Sequence, residues 1–298
     1  NYDKEFSKAI QESLALVFVI LADRCNAFAR WEPNVQCSQQ LYGRQALGIV
    51  WDFGELAPLS NCAGSWDSLL EVWLSGLPNV IGANLDQAGA GNAIVEKVDA
   101  AKHQLPDDCA QIFFTDPPYY DAVPYADLSD FFYVWLKRML RTSEPTLFKE
   151  ALTPKDEEIV QLSERNSKYA SKTKENFEHR MQQALAAGRR ITTPEGIAVI
   201  VFAHKATTAW ETMLQAVIDA GWIIVGSWPI DTEMETRLRA FNSATLSSSV
   251  HLVCRPRENP DGSVRQDDVG DWREVLAELP QTIHSWMPRL AEEGVVGA

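Results

Sequence analysis

The sequence predicts an α/β fold: a sheet with helices on both faces and an antiparallel last strand, preceded by an N-terminal helical extension and interrupted by a helical insertion. Three observations predict it. Short apolar runs without polar alternation, such as Gln111–Thr115 and Gly196–Ala203, read as strands of a sheet covered on both faces. From Gly196 to Arg255 the order is strand, helix, strand and, after a connection of roughly 20 residues, another strand, which is an α/β sheet closing on a hairpin. Residues 3–30 carry Phe6, Ile10, Leu14, Val17 and Leu21 at helical spacing. Three regions follow from this pattern. Residues 1–80 form the helical extension. Residues 81–260 form the core, with the insertion at about 142–190. Residues 261–298 form a polar or amphipathic tail that begins a further segment.

Taken in order, Ala46–Phe53 is a short apolar stretch, either a strand or a buried turn. Trp66–Ser75 is helical and is expected to stop at Gly76 and Pro78. Gly82–Gly91 is a linker, because its glycines do not form G-x-G-x-x-G and no strand-to-helix context surrounds them. Ile94–Val98 reads as a strand ending at Asp99, and Gln111–Thr115 as one ending at Asp116. Leu128–Leu140, rich in large apolar residues, is a helix. Thr153-Pro154-Lys155-Asp156 has the form of a helix start, with Thr as N-cap and Pro at the first position, and a charged helical region follows to Ala187. Thr207–Ala220 is a helix with Trp210, Met213, Leu214, Val217 and Ile218 on one face and Gly221 as its stop. Trp222–Trp228 and Ser249–Arg255 are the closing strands. Trp66, Trp73 and Trp210 sit at helical spacings and belong to the core.

The chain has 298 residues, of which 46% are hydrophobic, enough for one large α/β domain or two small ones. Its net charge of −14 argues against a nucleic-acid coat protein. One stretch runs against that balance. Between Arg165 and Arg190 stand Arg165, Lys168, Lys172, Lys174, Arg180, Arg189 and Arg190 against only Glu175 and Glu178. This is either a basic binding face or a solvated helix face. The five cysteines show no C-x-x-C spacing and no accompanying His pair, so no metal site is expected. Their odd number, without a signal peptide, points to a reducing, cytoplasmic setting. The longest apolar run, Leu14–Ala22, is far shorter than the ~20 residues of a membrane span, so no membrane partner is expected.

The chemistry concentrates at Asp116-Pro117-Pro118-Tyr119, which an apolar strand delivers to its carboxyl end. In open α/β sheets that end is where ligands bind. An exocyclic amine has its lone pair delocalised into its ring. To attack a methyl group it must be held so that the lone pair can redirect. The Asp116 carboxylate can accept one N–H and the Pro117 carbonyl the other. Two prolines fix φ and remove two donors, leaving a stiff turn with its carbonyls outward. The Tyr119 ring offers a face for a base, worth roughly 1–3 kcal/mol. The alternative is a plain proline turn after a strand.

Asp-Pro-Pro-Tyr after a strand resembles the catalytic motif of amino-methyltransferases, above all the adenine-N6 DNA methyltransferases. Three longer segments are similar to the large adenine-specific DNA methylases described as containing a zinc ribbon. They are FTDPPYYDAVPYADLSDFFYVWLKR (Phe114–Arg138), GRQALGIVWDFGE (Gly43–Glu55) and SWPIDTEMETRLRAFNSATLSSSVHLVCRPR (Ser227–Arg257). The resemblance covers most of the chain. It implies a Rossmann-like methyltransferase sheet, S-adenosyl-L-methionine as cofactor, DNA as partner, and a target adenine flipped from the duplex. Asp116, Pro117, Pro118 and Tyr119 are then the catalytic motif.

Further candidates carry two readings each. Asp99, with Ala100 beside it, is either a contact to the cofactor's adenine or a strand-end cap. His204, with Lys205, ends the next strand on the same sheet edge and is either a cofactor contact or structural. Tyr120, Asp121 and Tyr125 either line the base pocket or pack the loop. Arg237, Arg239, Asn242 and Ser243 either touch phosphate or the target base, or form a salt-bridged loop. The sequence also departs from the family. It lacks the Gly-rich D/E-x-F-x-G-x-G segment that cradles the cofactor's methionine part, and it lacks the zinc-ribbon cysteines. The expectation is therefore a C-terminal fragment whose partner is the upstream part of the same protein carrying that loop. RNA or protein-amide methylation, and a non-catalytic nucleic-acid-binding or scaffold role, are the alternatives.

Overall fold

A computed structural model of the chain describes residues 2–43, 46–85, 93–121, 123–164, 167–204, 207–231, 248–259 and 261–263. It divides into two compact units: Asn1–Lys97 with Tyr120–Phe177, and Val98–Tyr119 with Glu178–Ala298.

The first unit is built on three helices. Helix α1 (Tyr2–Arg24) follows the predicted periodicity but ends earlier than residue 30. Asn26 closes it. Its amide donates to the Ala22 and Asp23 carbonyls at 3.0 Å, and its Oδ1 accepts from the Phe28 N–H. A two-residue hairpin follows, β1 (Trp31–Glu32) with β2 (Cys37–Ser38). The apolar stretch Ala46–Phe53 is neither strand nor buried turn, and Ile49 and Trp51 are 90% and 95% exposed.

Helix α2 (Trp66–Leu85) starts where Ser65 can cap it, Ser65 Oγ accepting from the Ser68 N–H at 3.5 Å. It runs through Gly76 and Pro78 instead of stopping there, since an interior proline removes one donor without ending every turn. Helix α3 (Tyr125–Leu140) begins three residues before the predicted Leu128. Its Leu140 packs with Ala15 of α1 and Phe148, while Val17 and Leu21 of α1 pack with Leu69 of α2. Trp66 and Trp73 join that second cluster as the sequence predicts. Thr153-Pro154 does not start a helix. Thr153 spends its polar atoms on α3 instead, its Oγ1 lying within hydrogen-bond distance of both Ala126 O and Asp130 Oδ1 and its N–H donating to Asp130 Oδ1. After a 3-10 turn at Ser167–Tyr169, helix α4 (Lys174–Ile191) is capped by Thr173, which accepts from the Asn176 N–H at 3.2 Å.

The second unit holds a four-stranded mixed sheet. Its strands are β3 (Ala110–Thr115), β4 (Thr192–Phe202), β5 (Trp222–Asp231) and β6 (Ser248–Pro256), in the order β3-β4-β6-β5. β3 and β4 are parallel, and β6 is antiparallel to both of its neighbours, so the last strand is the reversed one. The expected strand Ile94–Val98 does not form. That stretch is irregular, with Ile94 83% and Val95 94% exposed. Helices on both faces are not found among the described residues of this unit either. Residues 178–191 of α4 and helix α5 (Thr207–Asp219) lie on one face, joined by the Thr212–Glu178 hydrogen bond at 3.0 Å. That face carries Phe113, Ala198, Ile200, Phe202, Leu252, Cys254 and Trp222. On the other, Ile112 and Phe114 of β3 are 69% and 61% exposed. Gly188 explains how closely α4 approaches, because a Cβ there would fall 2.4 Å from the Phe113 ring. Gly221 turns the chain from α5 into β5 at φ +86°, as its place after the helix predicts. Parallel pairing brings the carboxyl ends of β3 and β4 together, Thr115 standing beside Ile200. No helix among the described residues is long and apolar enough to cross a membrane.

Candidate active site

Asp116 leaves the end of β3 exposed to solvent, and its carboxylate makes no hydrogen bond or ion pair with any described residue. An acid inside a stiff turn, held by none of its neighbours, is free to take a ligand's N–H groups. Pro117, Pro118 and Tyr119 are half-buried behind it. The Tyr119 ring meets Phe202 nearly at right angles, with centroids 5.6 Å apart. Phe202, the last residue of β4, is fully buried. It stacks on the His204 ring at 6.4 Å and receives Trp210 of α5 edge-on at 4.9 Å. Trp210 Nε1 donates to the His204 carbonyl at 2.9 Å, tying the start of α5 to the end of β4. The motif thus stands on an aromatic platform at the carboxyl ends of two parallel strands. His204 belongs to this group; Phe202 and Trp210 are additions. Sequence periodicity places Trp210 in the core, and its spacing carries no sign of the neighbouring strand end.

Asp99 is held elsewhere. Its Oδ1 accepts from the Ala101 N–H at 3.0 Å, and Arg180 Nη2 reaches both oxygens at 3.2 and 3.3 Å. Lys102 lies 3.9 Å away. Ala100 is exposed beside it. The Ala101 N–H, followed by the Arg180 guanidinium, holds the Asp99 carboxyl below the usual carboxylate range. A folded-state pKa below the unfolded one adds stability that is complete above the ordinary aspartate value and lost as pH falls through the folded value. Asp99→Asn is therefore expected to lower stability at pH 7 by about 1 kcal/mol, as for partly exposed pairs. Its urea midpoint should converge on that of the parent chain as pH falls below about 4. A gap that stays constant down to about pH 2 would contradict this linkage.

In the first unit, Tyr120 takes a left-handed conformation at φ +56°. Its carbonyl accepts from the Gln161 N–H at 3.1 Å, and its ring meets Phe177 edge-on at 5.1 Å. Asp121 is half-buried, and Tyr125 is 52% exposed at the first turn of α3. Arg165, Lys205, Arg237, Arg239, Asn242 and Ser243 lie outside the described residues.

The described part of the basic stripe that ends at Arg190 is largely neutralised. Lys172 pairs with Glu158 at 3.2 Å, Arg180 with Asp99 at 3.2 Å, Arg190 with Asp107 at 2.5 Å, and Arg189 with Glu258. Lys168 lies 5.5 Å over the Tyr169 ring. These acids come from distant parts of the sequence, so a local count of charges could not find them. Among the described residues no group of three or more His, Cys, Asp or Glu could hold a metal ion.

No protein-family model and no curated protein matches the chain. Among solved structures, it is similar to a protein of Thermus thermophilus provisionally named as a DNA modification methylase. Identity is 11% and the TM-score 0.27, over 57% of this chain and 52% of that one. The chain spans about half the length of that protein. At this identity and score the likeness assigns neither a fold nor an activity.

Proposed function

We propose that this chain is the amine-holding part of an S-adenosylmethionine-dependent methyltransferase whose substrate is the N6 amine of adenine in DNA. The observation that carries the reading is Asp116: an exposed carboxylate at the end of a parallel strand, without a partner among the described residues, followed by two prolines and a ring seated on Phe202. Asp116 accepts one amine N–H and the Pro117 carbonyl accepts the other, which directs the nitrogen lone pair out of the ring plane. Because neither acceptor has to move, catalysis on this side is positioning and fixed electrostatics. An adenine reaches such a turn only when swung out of the helix, where an aromatic neighbour such as Tyr119 replaces its lost stacking.

The cofactor's role is to supply the methyl group. Asp99 already accepts from the Ala101 N–H and from the Arg180 guanidinium, so a cofactor amine would share its carboxylate with them. His204 is stacked on Phe202. With the stripe's described arginines committed to acids, phosphate contacts fall in this reading to Arg237 and Arg239. The test is tritium transfer from labelled S-adenosylmethionine by the full-length protein to separate DNA, RNA and protein pools. Label in adenine of DNA is the expected result. Label only in RNA or protein would reassign the substrate, and none in any pool would overturn the reading.

A further inference from the structure

The first turn of α3 has no cap of its own. Pro124 stands at the N-cap and offers no side-chain acceptor. Glu158, far along the sequence, supplies one, its Oε1 accepting from the Ala126 N–H at 2.9 Å. A carboxylate there satisfies one of the unpaired first-turn donors and meets the positive end of the helix. Its other oxygen meets Lys172 Nζ at 3.2 Å, and the two side chains are only 11% and 3% exposed. Lys172 also lies 5.3 Å over the Tyr169 ring, and Tyr169 Oη donates to Asp127 Oδ1 at 2.6 Å. Burial, then that bond, pushes the Tyr169 phenol up to about 12. The Lys172 carbonyl accepts from the Leu162 and Ser163 N–H groups, and the neighbouring Gln161 N–H holds the Tyr120 carbonyl. The 158–172 segment thus grips the residues after the motif at Tyr120, Ala126 and Asp127.

We propose that Glu158, fixed by Lys172, is the N-terminal cap of α3 and a positioning residue for Tyr125, the ring that opens that first turn; its effect on methyl transfer rests on the function proposed above. A buried ion pair alone would not require this role, since apolar residues of similar volume often replace such pairs at no cost. Two double variants separate the possibilities. Glu158→Gln with Lys172→Met removes both charges and keeps an acceptor for the Ala126 N–H. Glu158→Leu with Lys172→Met removes both charges and the acceptor. Amide exchange over residues 123–128 is expected to be about fivefold faster in the leucine variant, the factor that corresponds to a typical lost cap. Exchange in α2 serves as the folded control. The leucine variant is also expected to show a severalfold higher KM for adenine-containing duplex at nearly unchanged kcat. A loss of folded protein would lower kcat instead. Equal exchange in the two variants would overturn the cap, and unequal exchange with equal KM would overturn the positioning role. If the parent protein transfers no methyl group, the proposed function fails alone, and the exchange difference still decides the cap.

Discussion

Asp116→Ala in the full-length protein is expected to reduce methyl transfer by about 10²–10³-fold, the range for removing one positioned polar group from an active site. The unfolding midpoint should stay within about 0.5 kcal/mol of the parent, as for exposed substitutions that break no bond. The two expectations come from the same observation. Asp116 is exposed and has no partner among the described residues, so its loss strands no donor and opens no cavity. Its whole expected role is toward a ligand. Asp116→Asn sharpens the test, because the amide oxygen can still accept an N–H while the charge is gone. Activity between that of alanine and the parent would assign part of the effect to the acceptor and the rest to the charge. Tritium transfer at saturating donor, read beside urea unfolding of the same samples, measures both. An alanine variant with parental turnover would show that the carboxylate is idle and leave the turn as a plain strand end.

The motif was legible because its parts are consecutive. A strand, an acid, two prolines and a ring in one run need no tertiary information. The platform behind it was not legible, because pairing between β3 and β4 sets Thr115 beside Ile200 and so brings Phe202 to Tyr119. His204 could be named from its place after a strand, whereas Trp210 looked like any helical core residue. Local patterns also failed where a competing partner intervened. Ile94–Val98 has the composition of a strand but no ladder to join. Thr153 has the chemistry of a helix cap and uses it on Asp130 and Ala126. Pro78 reads as a stop, yet α2 continues past it. The basic stripe reads either as a binding face or as a solvated helix face, and the pairing of its described part follows from acids that lie outside it in sequence, Asp99, Asp107, Glu158 and Glu258.

Trp222→Ala is expected to cost about 3–5 kcal/mol, the range for removing a large buried aromatic side chain. Trp222 is completely buried at the start of β5. Its ring stacks on Phe113 of β3 at 6.0 Å and an interplanar angle of 11°, although β6 and β4 lie between their strands. The contact is possible because the residues in register with Phe113 on those strands, Ala198 and Cys254, are small. Burial pushes the Cys254 thiol up to about 12, as a dry site would. Above Phe113, Gly188 of α4 leaves room for the ring. None of these residues can fill the space left by the indole, so the cost should fall at the upper end of the range. Trp222 Nε1 also donates to the Leu185 carbonyl at 3.0 Å. Trp222→Phe keeps a ring and loses that bond, and should cost about 1–2 kcal/mol. Urea unfolding followed by near-ultraviolet dichroism reads both variants. A loss under about 1 kcal/mol for alanine would mean that the rings do not close the core across the sheet. The same variant separates stability from chemistry. Trp222 opens β5 at the amino end of the parallel strands, whereas Asp116 follows the carboxyl end of β3. Where Trp222→Ala remains folded, methyl transfer per folded molecule should therefore be unchanged, the reverse of the pattern expected for Asp116→Ala.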